Sequence, residues 1–243
     1  MQLNQLAWKN IWRHRRRTFI TALSIGFGIF LATTFTGTGD YMYTNMIDTS
    51  ATMGFGHVTL EAKGYHAAPT LERRISSAPQ LRAQIASLAE IDSMSTRIIG
   101  QAMFSSASKS VGGSFMAIDA AEESSDINLL IRSITEGQLF THTTDRQVVI
   151  GALMAEKLNL QLGKKLVYTT TDINGEIVGD VARISAIFTT GLDEVDGGMV
   201  LLPIDLVRAA LGYQADEASM ITVIIKDQRY AKEVRDQIAV RIT

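Results

Sequence analysis

Four histidines, a short acidic cluster and the absence of cysteine are the chemistry to weigh first in this 243-residue chain. His14, His57, His66 and His142 share no ligand spacing, so each reads as a single surface or structural side chain. Asp193, Glu194 and Asp196 in GLDEVDGG could offer oxygens to a divalent cation. They lack the regularly spaced ligands such an ion needs, and they read as a solvated loop. DINGE, residues 172–176, looks superficially like a calcium loop, but a hairpin turn at Asn174 and Gly175 accounts for it. Without cysteine there are no disulfides, thiolate zinc sites or thiol nucleophiles. No GxxxxGK[ST] loop, GxSxG elbow or HExxH helix occurs, so those routes to nucleotide or ester hydrolysis are closed. The expectation is a non-enzyme with no catalytic residue, no metal and no cofactor.

Charge is distributed unevenly. Residues 1–17 hold Lys9, Arg13, Arg15, Arg16 and Arg17 with no acid, while the rest of the chain has 18 basic and 25 acidic residues. An acidic remainder argues against nucleic acid as a partner, because phosphate binding needs a clustered positive surface. A mean hydropathy of +0.11 with 20% charged residues points to one apolar segment attached to an ordinary soluble domain.

That segment is Thr18 to Gly39, 22 residues without a charge. As a helix it would extend roughly 33 Å, enough for a hydrocarbon core of about 30 Å. The basic block before it and Asp40 after it place the N-terminus in the cytoplasm and the large domain outside, by the positive-inside rule. The run is too long for the apolar core of a secretion signal, and TGTGDYMYTNM lacks a small-x-small cleavage site, so the span is expected to be retained. Ala22 and Gly26 are four apart, as are Ser24, Gly28 and Ala32. Small residues at that spacing let another helix approach closely in lipid, as a packing surface or lateral gate.

Ahead of the span, LNQLAWKNIWRHRRR places Leu3, Ala7 and Ile11 on one side of a helix and Gln5, Lys9, Arg13 and Arg16 on the other. Trp8 and Trp12 add interfacial aromatics. Residues 1–17 are therefore expected to lie along the cytoplasmic headgroups of membrane lipid.

Beyond the span the helix is expected to continue to about residue 54, and residues 55–243 read as an α+β domain of about nine strands and four or five helices. Val58 and Leu60 alternate with Thr59 and Glu61, the pattern of a half-buried strand. Helical spacing at Leu81, Ile85 and Leu88 predicts a helix, and TRIIGQAMFSS and SFMAID predict strands. INLLIRSI predicts a helix, RQVVIG a strand, and ALMAEKLNLQLG a helix closed by Gly163. KLVYTTTDI and EIVGDVARISAIF should pair across Asn174 and Gly175. MVLLPI then predicts a strand, DLVRAALG a helix with Asp205 as N-cap, SMITVIIK a strand and RYAKEVRDQIAVRI a final helix. A break between Ala120 and Asp126 is expected to separate two lobes.

In that order the segments resemble a family. AWKNIWRHRRRTFITALSIGFGIF, MGFGHVTLEAKGYH, EGQLFTHTTDRQVVIGALMAEKLNLQLGKKLVY and ARISAIFTTGLDEVDGGMVLLPIDLVRAALG are similar to successive parts of ABC transporter permeases of the MacB/FtsX type, closest to the LolC/LolE lipoprotein-releasing branch. The resemblance implies a mixed α/β, MacB-like periplasmic core domain standing between the first and second of four membrane helices. It also implies a separate cytoplasmic ABC ATPase subunit, a second permease copy or paralogue in a dimer, and mechanotransmission. In that mechanism, ATP-driven movement of the membrane helices is passed to the periplasmic domain, which acts on a lipoprotein or another periplasmic protein. The location implied is the cell inner membrane. The sequence reaches Thr243 with no second apolar run, so it reads as the N-terminal part of such a permease.

Three other readings remain open at this point. One is a single-pass binding or sensor module, another a regulator of wall hydrolases like FtsX, and the third a secreted enzyme freed by signal cleavage.

Overall fold

A computed structural model describes residue 13 and residues 15–242, and it divides into two units, 1–47 and 48–243. In the first, helix α1 (Arg15–Ser50) begins within the basic block and continues through the apolar run without a break. Its apolar side chains are spread around the whole circumference rather than along one stripe. A helix apolar all round suits lipid rather than a single protein surface.

The second unit starts in the last residues of α1. The helix ends in a π-turn, Ala51–Phe55, where Gly54 takes φ 123°. An L side chain is strained there, so glycine allows the chain to turn sharply into β1 (Val58–Glu61). The elements that follow are α2 (Ala78–Ile85), β2 (Ile91–Ser105), β3 (Ser110–Ile118), α3 (Leu129–Arg132), β4 (Ile134–Gly137), β5 (Gln147–Gly151) and α4 (Ala152–Leu158). The rest are β6 (Lys165–Thr171), β7 (Ile177–Phe188), α5 (Asp193–Gly198), β8 (Met199–Pro203), α6 (Ile204–Leu211), β9 (Met220–Ile225) and α7 (Ala231–Ile242).

All nine strands form one mixed sheet in the order β1-β9-β2-β3-β8-β5-β7-β4, and β6 pairs with both β2 and β7. That double pairing closes β2, β3, β8, β5, β7 and β6 into a ring. One main core lies against the ring, with Phe104, Phe115, Val148, Leu166, Tyr168 and Ile184 packed beneath α4 and α6. A second cluster on the other face joins Met116, Ile118, Phe188 and Leu201 to Leu130 of α3. Beside the ring, β1 and β9 form a third cluster with α2 and α7 through Ile85, Ile221, Val223, Val234 and Ile238.

Two packing regions therefore exist, but 120–126 does not divide them. They share β2, whose residues 91–97 pair with β9 and whose residues 103–105 pair with β6. Arg97 stands at the join, opposite Met220 of β9 on one side and Ile118 of β3 on the other.

Local differences from the sequence reading have identifiable causes. INLLIRSI forms only one helical turn, because Ile134–Gly137 is drawn into the sheet as β4 against β7. The helix in ALMAEKLNLQLG stops at Asn159, which adopts the left-handed conformation (φ 54°), before Gly163. The N-cap of α6 is Pro203 rather than Asp205. The Asp205 and Leu206 amides already donate to the Thr143 carbonyl at 3.0 and 3.1 Å, so no carboxylate cap is required. The Asp205 side chain instead pairs with Arg208 at 2.8 Å.

Candidate functional site

Two places could carry function: the apolar helix α1 and the point where the chain turns from its end into the sheet. Along α1 the stretch Arg15–Tyr43, 29 residues of mean hydropathy 1.8, is long and apolar enough to cross a membrane. Hydroxyls in such a span need partners, because hydrocarbon supplies none. Here Thr21, Ser24, Thr33, Thr34 and Thr36 each donate to the carbonyl four residues back, at 2.7–2.9 Å. The Thr-rich run thus satisfies its own polar groups.

Arg15, Arg16 and Arg17 form the first turn of α1, and Arg13 precedes them. Trp8, Lys9 and Trp12 lie outside the described residues. Ala22, Ser24, Gly26, Gly28 and Ala32 are all exposed, and a Cβ added at Gly26 or Gly28 would meet nothing within 4 Å. These five do not make one face. At ~100° per residue, the Ala22–Gly26 row and the Ser24–Gly28–Ala32 row sit about 200° apart around the helix. A close-packed neighbour could use one row or the other.

At the foot of α1 the structure assembles a polar cluster from residues far apart in sequence. Arg97, in the buried middle of β2, is 1% exposed. Its guanidinium meets the Glu123 carboxylate in a two-pronged contact, Nε to Oε1 at 2.6 Å and Nη2 to Oε2 at 2.8 Å. The Glu123 side chain is fully enclosed. Asn128 Nδ2 donates to the same carboxylate at 3.0 Å, while its Oδ1 caps α3 by accepting from the Leu130 and Ile131 amides. Arg97 Nη1 is buried without a hydrogen-bond partner among the described residues. It faces Gly54: a Cβ at Gly54 would lie 3.3 Å from that nitrogen and would collide with the Met116 side chain.

The preceding residue adds a second tie. Glu122 forms an ion pair with Arg82 of α2 and accepts from the Thr96 amide at 3.0 Å, and its carbonyl accepts from Ser95 Oγ at 3.2 Å. Residues 120–126 therefore bracket α2, β2 and the π-turn together. Two signals in the sequence could have revealed this: adjacent glutamates in a short connection, and one arginine inside a buried strand. A buried charge requires a partner, and those two acids could supply it.

Of the GLDEVDGG acids, Asp193 and Glu194 are exposed in a short helix, as a solvated stretch would have them, and Asp196 is not. Asp196 is 3% exposed. Its carboxylate accepts from the Thr190 amide (2.8 Å), the Thr190 hydroxyl (2.7 Å) and the Gly191 amide (3.1 Å), fixing the loop before α5. Gly151, closing β5, packs directly on the Asp196 backbone, where a Cβ would clash. Two of the sequence segments quoted above thus meet as one packing unit. In DINGE, Asp172 accepts from the Asn174 and Glu176 amides, both at 2.8 Å, which makes the β6–β7 hairpin turn. Those bonds hold its carboxyl below the usual range, the Glu176 amide contributing most.

A groove of about 460 Å³ with mixed polar and apolar walls opens between residues 65–72 and β2, β3 and β6, with Tyr65, Leu71, Glu72, Ile99 and Gln101 among its walls. Behind it, Tyr213 donates to the Leu71 carbonyl at 2.5 Å, and burial pushes its phenol up to about 12. No group of three or more metal-ligating side chains occurs among the described residues.

An apolar helix leading through a tight turn into a mixed-sheet α/β domain is the plan of a membrane protein with an extracytoplasmic domain. The comparisons define it further. The chain belongs to the MacB-like periplasmic core domain family, whose model matches residues 18–240. The fold is similar to that of the extracellular domain of the noncanonic ABC-type transporter YknZ from Gram-positive bacteria, with TM-score 0.50 and 14% identity over 73% of this chain and 88% of that one. It is also similar to the periplasmic region of MacB from Actinobacillus actinomycetemcomitans, with TM-score 0.51 and 15% identity over 75% of this chain and 81% of that one. No curated protein sequence matches. Family membership supports a permease-type role.

Proposed function

We propose that this chain is the helix-and-domain part of an ABC transporter permease that works by mechanotransmission, in the manner of the lipoprotein-releasing branch. Its N-terminus is cytoplasmic, its domain extracytoplasmic, and its ATPase a separate subunit acting with a second permease copy or paralogue. The observation carrying this reading is the family match across residues 18–240, which takes in the apolar helix and the domain as one unit. The bracket adds support. A helix that drives a domain needs a stiff connection at its foot, and the π-turn sits on a buried, two-pronged ion pair. The small-residue rows of α1 are the surfaces for neighbouring helices.

Orientation is directly testable because the chain has no cysteine. In spheroplasts, a membrane-impermeant maleimide should label Lys109→Cys and spare Asn10→Cys. The reverse pattern would overturn the orientation. For the partner, the chain expressed from its native locus with an affinity tag should bring down an ABC ATPase from detergent-solubilised membranes. Recovery of the chain without any ATPase refutes the permease reading and favours a single-pass binding module.

A further inference from the structure

The cluster at the foot of α1 does more than fill space. Arg97 lies where the two packing regions of the domain share β2. Its guanidinium is held by Glu123, the Glu123 carboxylate is held by Asn128, and Asn128 caps α3, which packs beside the π-turn. Gly54, the residue where the helical course is broken, rests against Arg97 and Met116 with no room for a side chain. The turn thus meets the Met116 side chain and, beside it, one edge of a charged, directional network. Apolar contacts tolerate sliding, whereas a two-pronged guanidinium–carboxylate contact with a fixed second partner holds one orientation. Nη1, which has no hydrogen-bond partner among the described residues, lies on the side of the turn.

We propose that Arg97, Glu123 and Asn128 form a latch that fixes the π-turn Ala51–Phe55 to the sheet at the junction of the two packing regions. When the latch is closed, displacement of the chain entering the domain is delivered to β2 and so to both regions. When it is open, the displacement is absorbed at Gly54. The three are positioning residues, and the second half of the proposal rests on the mechanotransmission reading above.

Hydrogen exchange on the full chain in lipid nanodiscs tests the latch itself. Glu123→Gln keeps the shape and removes the charge. It should speed exchange about tenfold or more beyond the change seen for β9 amides such as Ile221, for amides in residues 51–57 and 128–132. A rise spread evenly over the domain would make the pair an ordinary core contact and overturn the proposal, as would no change. Should Glu123→Gln fail to fold, the double variant Arg97→Met with Glu123→Leu serves. It should restore the unfolding midpoint yet leave residues 51–57 exchanging fast, and normal protection there refutes the latch. Coupling is read in the ATPase-bound complex, where protection of β5 should differ between ATP and ADP in the wild type and lose that difference in Glu123→Gln. A retained difference overturns the coupling role. If no ATPase binds the wild-type chain, the permease reading fails while the nanodisc result still decides the latch.

Discussion

Exchanging the buried ion pair for apolar side chains gives the sharpest test of how the domain is held at the foot of α1. Arg97 and Glu123 are both enclosed, so removing one charge strands the other away from water. Breaking such a pair costs about 3–5 kcal/mol, so Arg97→Met and Glu123→Leu should each lose that much. For a unit of this size about 1 kcal/mol corresponds to roughly 2–4 °C, so each midpoint should fall by roughly 6–20 °C. In the double variant no charge is stranded. Asn128 Nδ2 loses its acceptor, at about 1–3 kcal/mol, but the unpartnered Arg97 Nη1 disappears and returns a similar amount. The double variant should therefore unfold within about 2 kcal/mol of the wild type, a coupling far from additive. Both tryptophans lie at the N-terminus, so far-UV circular dichroism of the full chain in detergent with increasing urea is the suitable assay. Additive losses, with the double variant at the sum of the singles, would show that the two side chains do not act as a buried pair.

Other expectations follow from the geometry. Asp196→Ala leaves two amides and a hydroxyl without their acceptor and should cost about 2–4 kcal/mol, read as a lower urea midpoint, with Asp196→Asn intermediate. Two tyrosines should diverge. Tyr213→Phe loses its bond to Leu71 and should destabilise by about 1 kcal/mol, whereas the buried Tyr168 hydroxyl has no partner among the described residues, so Tyr168→Phe should be neutral or stabilising by thermal melt. Glu217 answers to pH. Burial pushes its carboxyl up, but the Gln214 amide and the Arg74 guanidinium together draw it below the usual range. A lowered carboxyl contributes stability above the unfolded value of about 4.3 and loses it as pH falls through the lower folded value. The stability gap between wild type and Glu217→Gln should be full at pH 7 and close below about pH 4. A gap that persists at pH 3 counts against the assignment.

What was legible in the sequence was what depends on neighbours along the chain. An uncharged run preceded by basic residues specifies a membrane-length helix, because hydropathy and helical rise are local properties. The β6–β7 hairpin could be read from Asn174 and Gly175, since the turn needs a positive φ that Gly175 supplies at 82°. Period-two alternation marked β1, and apolar runs marked β5, β8 and β9. The order of the segments sufficed for the family.

Everything that depends on the sheet's pairing had to await the fold. Ile134–Gly137 became a strand because β7 offered an edge, although Ile134 closes the apolar run read as a helix. Asp196 reads as solvent-exposed among other acids until the loop closes over it. Arg97 and Glu123 are 26 residues apart, and no local rule pairs them. The sheet brings β2 against the connection after β3, the buried guanidinium must then find an anion, and that requirement creates the bracket at the π-turn.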